Sequence, residues 1–380
     1  MTLDDLPTPS LILDRGCLRH NTEAMTARLK AHGVALRPHM KTAKSIEVAH
    51  LAVAGNFGGI TVSTLEEARY FARHGITDIV YGVGIVPAKL DFVAELQGKS
   101  GDNARISVIL DDPGVARAAA ARAQSLGSHF EVLIELDCGG DRAGVPVGEA
   151  ERLLAVAGGL QDAGLTLRGV LTHAGHSYHC RGRAEIESVA EQERAGLVWA
   201  AECLAAAGFP CPVVSGGSTP TAVFAKHLDG VSEMRPGVYM FGDVMQQEIG
   251  SCGGADIAVT VLASVIGRRG QGGPLGSEQL LLDAGALALS KDRGADEFNP
   301  EAGFGWVFDL DNRLFQGLSV SDTHQEHGLA RGPRLPDLEI GARVRLRPIH
   351  ACLTAAMYQR YHVVEGDRQV VAVWERTGGW

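Results

Sequence analysis

At 380 residues the chain is long enough for two to three domains of about 150 residues each and for a large buried core. Hydrophobic residues make up 45% and charged residues 21%, with 48 glycines, which excludes a disordered or fibrous chain. The 35 basic and 45 acidic residues leave a formal charge of −10, a sign that disfavours nucleic acid and anionic membranes as partners. The longest apolar or small-residue stretch, Ile257 to Gly267, is broken by Thr260 and Ser264 and falls well short of the roughly 18 residues a membrane span needs. The opening MTLDDLPTPS carries two Asp where an export signal needs basic charge, and the 7 cysteines are scattered with no CxxC pair. A reducing cytoplasm is the expected location.

Along the chain, a β-branched or apolar run followed by an alanine-rich amphipathic stretch recurs eight times over the first 240 residues. The runs are Val34 to Met40, Gly59 to Ser63, Asp78 to Val83, Arg105 to Asp111, Phe130 to Asp137, Leu165 to His173, Cys211 to Ser215 and Glu233 to Met240. Between them, helices are predicted over Leu65 to Arg73, Gly114 to Ser125, Glu149 to Leu160 and Ile186 to Ala207, with Gly75, Gly127, Gly164 and Gly208 as C-terminal caps. Strand and helix alternating eight times predict parallel pairing closed into a (β/α)8 TIM barrel, with an open doubly wound sheet as the alternative. After Asp256 the texture changes. IAVTVLASVIG, QLLLDAG, ARVRLRP, YHVVEG and QVVAVWERT are short strand-like runs without helical period. The expected organisation is an α/β barrel over 16–245 and a C-terminal β-rich domain over 246–380, with 1–15 added to the latter as an N-terminal strand.

A barrel of this kind works at the C-terminal ends of its strands, so the residues after each run are the informative ones. Run one ends in Arg37-Pro38-His39-Met40-Lys41-Thr42. A lysine there points into the barrel mouth, where partial desolvation makes its amine a nucleophile for a carbonyl; elsewhere a lone lysine would read as a solvated cation. Run five ends in Glu135-Leu136-Asp137-Cys138-Gly139-Gly140-Asp141-Arg142, a Gly-rich loop with an arginine fork for an anionic oxygen. Run seven ends in Ser215-Gly216-Gly217-Ser218-Thr219-Pro220-Thr221, small residues that predict backbone N–H groups exposed at a helix start as a phosphate cradle. Gly237 and Tyr239, following Arg235 and Pro236, are candidates to complete that cradle. His173, His176, Ser177 and Tyr178 follow run six and are expected to line the pocket, with ordinary hydrogen-bonded packing as the alternative. His327 is a weaker substrate-binding candidate, and Asp322 and His324 read as a solvated loop. In the C-terminal domain, His350 and Cys352 at i and i+2 of an extended segment would share a face and converge on one divalent cation. A buried cysteine beside a core histidine is the competing reading. With two protein ligands visible, the remaining positions go to water or substrate, as in a catalytic metal site.

These motifs together resemble the fold-type III pyridoxal phosphate enzymes, the alanine racemase N-terminal barrel class, and within it the D-serine dehydratase and D-threonine aldolase group. The resemblance runs through DLPTPSLILD, RPHMKTAKS, ELDCGGDRAGV, THAGHSY, VSGGSTPT, EMRPGVYMFGD, DAGALALSKD, QEHG and PIHACLT, nearly the whole chain. It implies that Lys41 carries pyridoxal 5'-phosphate as a Schiff base, that Arg142 lies near the cofactor's phenolic oxygen, and that the region of Gly216, Gly217 and Tyr239 holds the phosphate. It also implies that Arg235 faces the pyridine nitrogen. Such an arginine cannot give up a proton, so the ring is a weaker electron sink and help must come from elsewhere. His350-x-Cys352 stands where the aldolases carry His-x-Asp, which is the dehydratase pattern, shared with D-threo-3-hydroxyaspartate dehydratases.

The activity implied is elimination of water from a D-3-hydroxy amino acid such as D-threo-3-hydroxyaspartate or D-serine, followed by deamination to a 2-oxo acid and ammonia. The cation, zinc, manganese, cobalt or magnesium, would assist the departing hydroxyl. Retro-aldol cleavage of the same substrate class is the second enzyme reading. A single-domain cofactor-homeostasis protein is the non-enzyme reading, and it leaves the C-terminal residues unexplained. A homodimer is implied by the family, and no nucleic acid or membrane partner is expected.

Overall fold

The computed structural model describes residues 1–99, 104–161, 165–270 and 278–380. They divide into two compact units, one of residues 24–237 with 377–380 and one of 1–23 with 238–376. Strands are numbered along the chain from β1 (Ser10–Asp14).

The first unit holds eight parallel strands: β2 (Ala35–Leu36), β3 (Ile60–Val62), β4 (Asp78–Gly84), β5 (Arg105–Leu110), β6 (Phe130–Asp137), β8 (Leu165–Thr172), β9 (Val213–Gly216) and β10 (Glu233–Met234). A two-residue β7 (Val145–Pro146) pairs with the end of β6. The sheet runs β2-β10-β9-β8-β6-β5-β4-β3, and a parallel bridge between His39 and Thr61 joins its two edge strands, closing the barrel. Backbone bonds from Met40 N to Thr61 O (2.8 Å) and from Thr61 N to Pro38 O (3.0 Å) tie the seam. The barrel is therefore closed, as the eightfold alternation predicts, and its strands are largely buried although Asp78, Ser107, Glu131 and Arg168 interrupt their apolar runs.

Helices α1 (Arg15–Ala31), α2 (Ile46–Val53), α3 (Leu65–Arg73), α4 (Leu90–Ala94), α5 (Pro113–Leu126), α6 (Ala150–Gln161), α7 (Arg183–Ala206) and α8 (Thr219–Phe224) alternate with the strands. Their ends follow local chemistry. Asp112 caps α5 by accepting from Gly114 and Val115 N–H, Pro113 opens it, and Gly127 closes it at φ +59°. Gly75 and Gly208 likewise take positive φ, whereas the expected cap Gly164 lies outside the described residues. The eighth run is shorter than its apolar character suggests. It leaves strand geometry after Met234 because Pro236 has no N–H to pair, and resumes as a 3-10 turn over Val238–Met240.

The second unit is a nine-stranded antiparallel-rich sheet ordered β12-β15-β14-β13-β16-β11-β1-β17-β18. Its strands are β11 (Val259–Arg269), β12 (Gln279–Leu282), β13 (Gly305–Phe308), β14 (Leu314–Thr323), β15 (Gly328–Arg331), β16 (Arg343–Pro348), β17 (Arg360–Val364) and β18 (Ala372–Glu375). The further pairing of β12 with β11 closes six of them into a small antiparallel barrel. β1 joins this sheet, antiparallel to β11 and parallel to β17. Short helices α9 (Val244–Ile249), α10 (Ala286–Leu289) and α11 (Ala351–Ala356) decorate it. No helix among the described residues is long and apolar enough to cross a membrane.

Candidate active site

In the barrel unit, β2 runs on as extended chain to His39 and then breaks into a turn that carries Lys41, closed by Lys44 N–H on Met40 O at 2.8 Å. Lys41 is exposed. Lys44 takes φ +52°, and its ammonium reaches the buried Glu67 carboxylate at 3.0 Å, pinning the far side of the turn. Gly237 makes this arrangement possible. A Cβ on it would stand 2.9 Å from His39 O and 3.4 Å from Thr42 Oγ1, so any side chain there pushes on the segment that holds Lys41.

At the end of β6 the carboxylate of Asp137 accepts from the N–H groups of Gly139 (2.9 Å) and Gly140 (2.8 Å), folding the glycine loop back on itself. Arg142 stands out from this loop, 3.7 Å from Glu135, with 64% of its side chain exposed. After β8, His173 donates from Nδ1 to Gly217 O at 2.9 Å, since a carbonyl can only accept. That bond fixes the tautomer and leaves Nε2 as an acceptor. Tyr178 sits with its ring 6.2 Å from that of His173. Ser177 and Ser218 share a hydroxyl bond of 2.8 Å, and both ring nitrogens of His176 are buried without a partner.

After β9 the structure departs from the expected cradle of free amides. Gly217 N–H goes to the buried Glu193 carboxylate at 2.9 Å, Ser218 N–H to Thr221 Oγ1 at 3.1 Å, and Thr221 N–H back to Ser218 Oγ at 3.2 Å. The reason is a capping box: Ser218 caps α8 reciprocally with Thr221, which uses the donors that free geometry would have left open. The glycine is still required, because at φ +123° a Cβ on Gly217 would lie 2.6 Å from Arg235 N. Ser215 and Gly216 end β9 beneath this loop, and Thr219 is the first residue of α8. Arg235, 6% exposed, donates to Ser215 Oγ (2.5 Å) and to Thr172 O (2.7 Å).

Electrostatics bring these groups together. Burial, and after it the Lys41, Arg235, His173 and Arg142 side chains, holds His39 well below the ordinary histidine range. Burial and Lys41 push His173 down to about 3 against the opposing bond to Gly217, with Arg142 and Arg235 adding to the depression. The two histidines are therefore neutral at pH 7, and Lys41, Arg142 and Arg235 supply positive charge around them. Such a mouth favours an anionic occupant.

A pH dependence follows for the cofactor-free protein. Unfolded His173 takes a proton near pH 6.5 and folded His173 only near 3, so the unfolded state binds more protons in that window. Stability should fall as pH drops through it, by at most about 1.4 kcal/mol per pH unit from this residue. Urea midpoints for the parent and His173→Asn across pH 3 to 7 should diverge in slope; parallel curves would remove the assignment.

In the second unit, His350 and Cys352 do meet, but not as alternate residues of a strand. His350 is the extended residue that caps α11, and Cys352 lies in the first turn of that helix, so the helix start brings them together. Asp243 fixes this start by accepting Ala351 N–H at 2.9 Å and Gln246 N–H at 2.8 Å. Asp292 contacts His350 Nδ1 at 2.5 Å and is itself held by Gly294 N–H at 2.9 Å. Burial alone would depress His350, yet Asp292, Cys352 and Asp243 overcome it and raise the imidazole to about 11. Asp292, Cys352 and Asp243 are thus the groups that act on the His350 ring. Asp292 holds Nδ1, and Cys352 is hydrogen-bonded to the same imidazole; a carboxylate behind a histidine in this way is the arrangement that commonly orients a metal-binding imidazole. Among the described residues no cluster of three or more His, Cys, Asp or Glu that could hold a metal ion is found. Tyr239 is buried in the 3-10 turn of this unit. His324 and His327 are exposed in the turn between β14 and β15, as the loop reading of His324 expects.

Glu193, Glu233, Asp243 and Asp292 were not singled out from sequence. Each is a lone acid inside or beside an element, and no local spacing ties it to the residue it serves.

The barrel and its β-rich companion define the class. The profile described as alanine racemase, N-terminal domain matches residues 13–244, and that of the putative serine dehydratase domain matches residues 258–364. The chain belongs to this family of fold-type III enzymes. More particularly, it is 43% identical over 386 residues to D-threo-3-hydroxyaspartate dehydratase of Delftia sp. (strain HT23), covering 100% of this chain and 99% of that one. It is 30% identical over 397 residues to D-serine dehydratase of Dictyostelium discoideum, covering 100% and 98%. The solved structure of the dehydratase from Delftia sp. HT23 matches with a TM-score of 0.94 at 42% identity over 100% of both chains. A cysteine-to-alanine variant of D-threo-3-hydroxyaspartate dehydratase, solved in the metal-free form, matches equally well.

Proposed function

We propose that the protein is a pyridoxal 5'-phosphate- and divalent-metal-dependent dehydratase that converts D-threo-3-hydroxyaspartate to oxaloacetate and ammonia, with D-serine, giving pyruvate and ammonia, as a second substrate. The observation that carries this reading is the full-length 43% identity to a D-threo-3-hydroxyaspartate dehydratase, in a chain that keeps a strand-end lysine and a carboxylate-backed His-Cys pair.

The bound pyridoxal phosphate supplies an electron sink for the substrate's α-carbon. Lys41 would tether it, and its Nζ would serve as the base for the substrate's α-proton. Arg142 would supply a cationic partner for the ring's anionic oxygen. Arg235, a permanent donor, would leave the ring nitrogen unprotonated, so the sink would be weaker than an acid partner would make it. His173, neutral and with its tautomer fixed by Gly217, packs in the mouth without adding charge. The turn of Gly216, Gly217, Ser218 and Thr219, with Gly237 beside it, would hold the phosphate in the barrel unit, while the Ser215 hydroxyl is committed to Glu233 and Arg235; Tyr239 is a further phosphate candidate by the family resemblance. Tyr178 lines the pocket. His350 and Cys352 would hold the divalent cation, whose chemistry is Lewis acidity toward a departing hydroxyl. The net change is loss of ammonia from the hydroxy amino acid to give the 2-oxo acid, the water lost in elimination being returned by hydrolysis.

Assay of D-serine, D-threonine and both threo-3-hydroxyaspartate enantiomers tests the reading. Ammonia and 2-oxo acid in equal amounts are expected from the D-threo-3-hydroxyaspartate reaction. Glycine with an aldehyde would assign retro-aldol cleavage instead. The protein acts as a homodimer in the cytoplasm on this proposal. Its seven free cysteines support a reducing compartment, and light scattering at twice the chain mass would support the dimer.

A further inference from the structure

The interior of the (β/α)8 barrel departs from the usual filling of Val, Ile and Leu. Arg37, wholly buried, holds the Glu233 carboxylate at 2.9 Å through Nε and Asp78 at 2.7 Å through Nη1. Asp78 also meets Arg168 at 3.3 Å, and Arg168 donates to Ser107 (2.6 Å), which donates to Glu131 (3.1 Å). Signs alternate along this chain of groups. At its other end Glu233, 5% exposed, accepts from Ser215 Oγ at 2.7 Å, and Ser215 Oγ accepts from Arg235 Nη1 at 2.5 Å.

The direction of these last bonds is forced. A serine hydroxyl has one proton, and a carboxylate can only accept, so Ser215 gives its proton to Glu233. Its oxygen is thereby obliged to present a lone pair to Arg235. Thr172 O takes the second terminal nitrogen, so both ends of the guanidinium are anchored. Folding alone does not call for this design, since a well-packed apolar set would serve as well or better.

We propose that Glu233, acting through Ser215, is a positioning residue for the cofactor: it orients the Arg235 guanidinium toward the pyridine nitrogen, with Arg37 holding Glu233 in place. This rests on the assignment of Arg235 under the proposed function. Glu233 touches neither cofactor nor substrate. Its effect reaches the ring through one hydroxyl and one guanidinium, and it sets how firmly a donor meets the ring nitrogen. The ring's absorbance and its affinity both depend on that contact.

The test uses purified full-length protein, titrated with pyridoxal phosphate and followed by near-visible absorbance, with thermal unfolding alongside. Ser215→Ala and Glu233→Gln should each weaken cofactor binding about tenfold and shift the absorbance of the bound cofactor. The double variant should be no worse than the poorer single one, because both break one link. Ser215→Thr, which keeps the hydroxyl, should retain parent affinity and spectrum. Glu131→Gln, at the far end of the lattice, should alter melting temperature only. Ser215→Ala and Glu233→Gln proteins that melt earlier yet bind cofactor with parent affinity and spectrum would overturn the proposal, as would an equal spectral shift in Glu131→Gln. A parent protein with no Lys41-dependent absorbance would instead overturn the functional assignment on which the proposal stands.

Discussion

Lys41→Ala is expected to abolish the near-visible absorbance that pyridoxal phosphate gives when tethered to the protein, and to lower turnover by more than about a thousandfold. The proposed function gives this amine two roles, covalent attachment and removal of the α-proton, so no other single side chain in the barrel should cost as much. Lys44 provides the comparison. It lies three residues on in the same turn, but its ammonium is committed to Glu67 at 3.0 Å and serves the shape of the turn. Lys44→Ala should therefore retain the absorbance while weakening cofactor binding. Absorbance spectra with and without borohydride reduction, followed by mass measurement of the peptide that keeps the cofactor, identify the lysine. A spectrum unchanged in Lys41→Ala, or a cofactor adduct on another lysine, would refute the assignment.

The barrel was legible because its strands carry their signal locally. RISVIL and FEVLIELD are buried along nearly their whole length, and Asp112, Pro113 and Gly127 bracket α5 with the residues that helix ends demand. Lys41 stands out in the sequence for the same reason, since it directly follows a run, and the structure places it in the turn after the extended chain of β2. The second unit was legible only where its strands are apolar, as in β11 and β16. β13, β14 and β15 escaped, because LFQGLSVSDT is half exposed and its pairings with both neighbours carry bulges that break the alternation. The ionic lattice of Arg37, Asp78, Arg168 and Glu233 was hidden by distance. A charged residue in a strand reads as a solvent-facing position, and its partner lies up to 196 residues away. The same separation concealed Asp243 and Asp292, 108 and 58 residues from the helix start they support. The His350 and Cys352 pairing was anticipated through strand alternation but is made by a helix start, where Asp243 accepts Ala351 N–H.

Removal of the cation should separate cofactor binding from turnover. Hydroxide is a poor leaving group, with a conjugate acid near pKa 15.7, whereas water on a divalent cation titrates at about 7 to 9. At about 1.4 kcal/mol per unit, that interval sets an upper bound of roughly ten kcal/mol on the help available to the departing oxygen. With Arg235 at the ring nitrogen, as proposed, no proton reaches the ring from that side and little else in the barrel would compensate. Exhaustive chelation, His350→Ala and Cys352→Ala should each reduce ammonia release by about a thousandfold or more while leaving the Lys41-dependent absorbance in place. Asp292→Asn should act more mildly, by about ten- to a hundredfold, since it loses only the carboxylate that orients His350. Metal content by atomic emission should fall with activity across this series, and added zinc, manganese, cobalt or magnesium should restore the chelated parent but not the His350 variant. Full turnover in the presence of chelator, with metal content shown to be negligible, would remove the cation from the reaction and leave His350 and Cys352 as a packed pair.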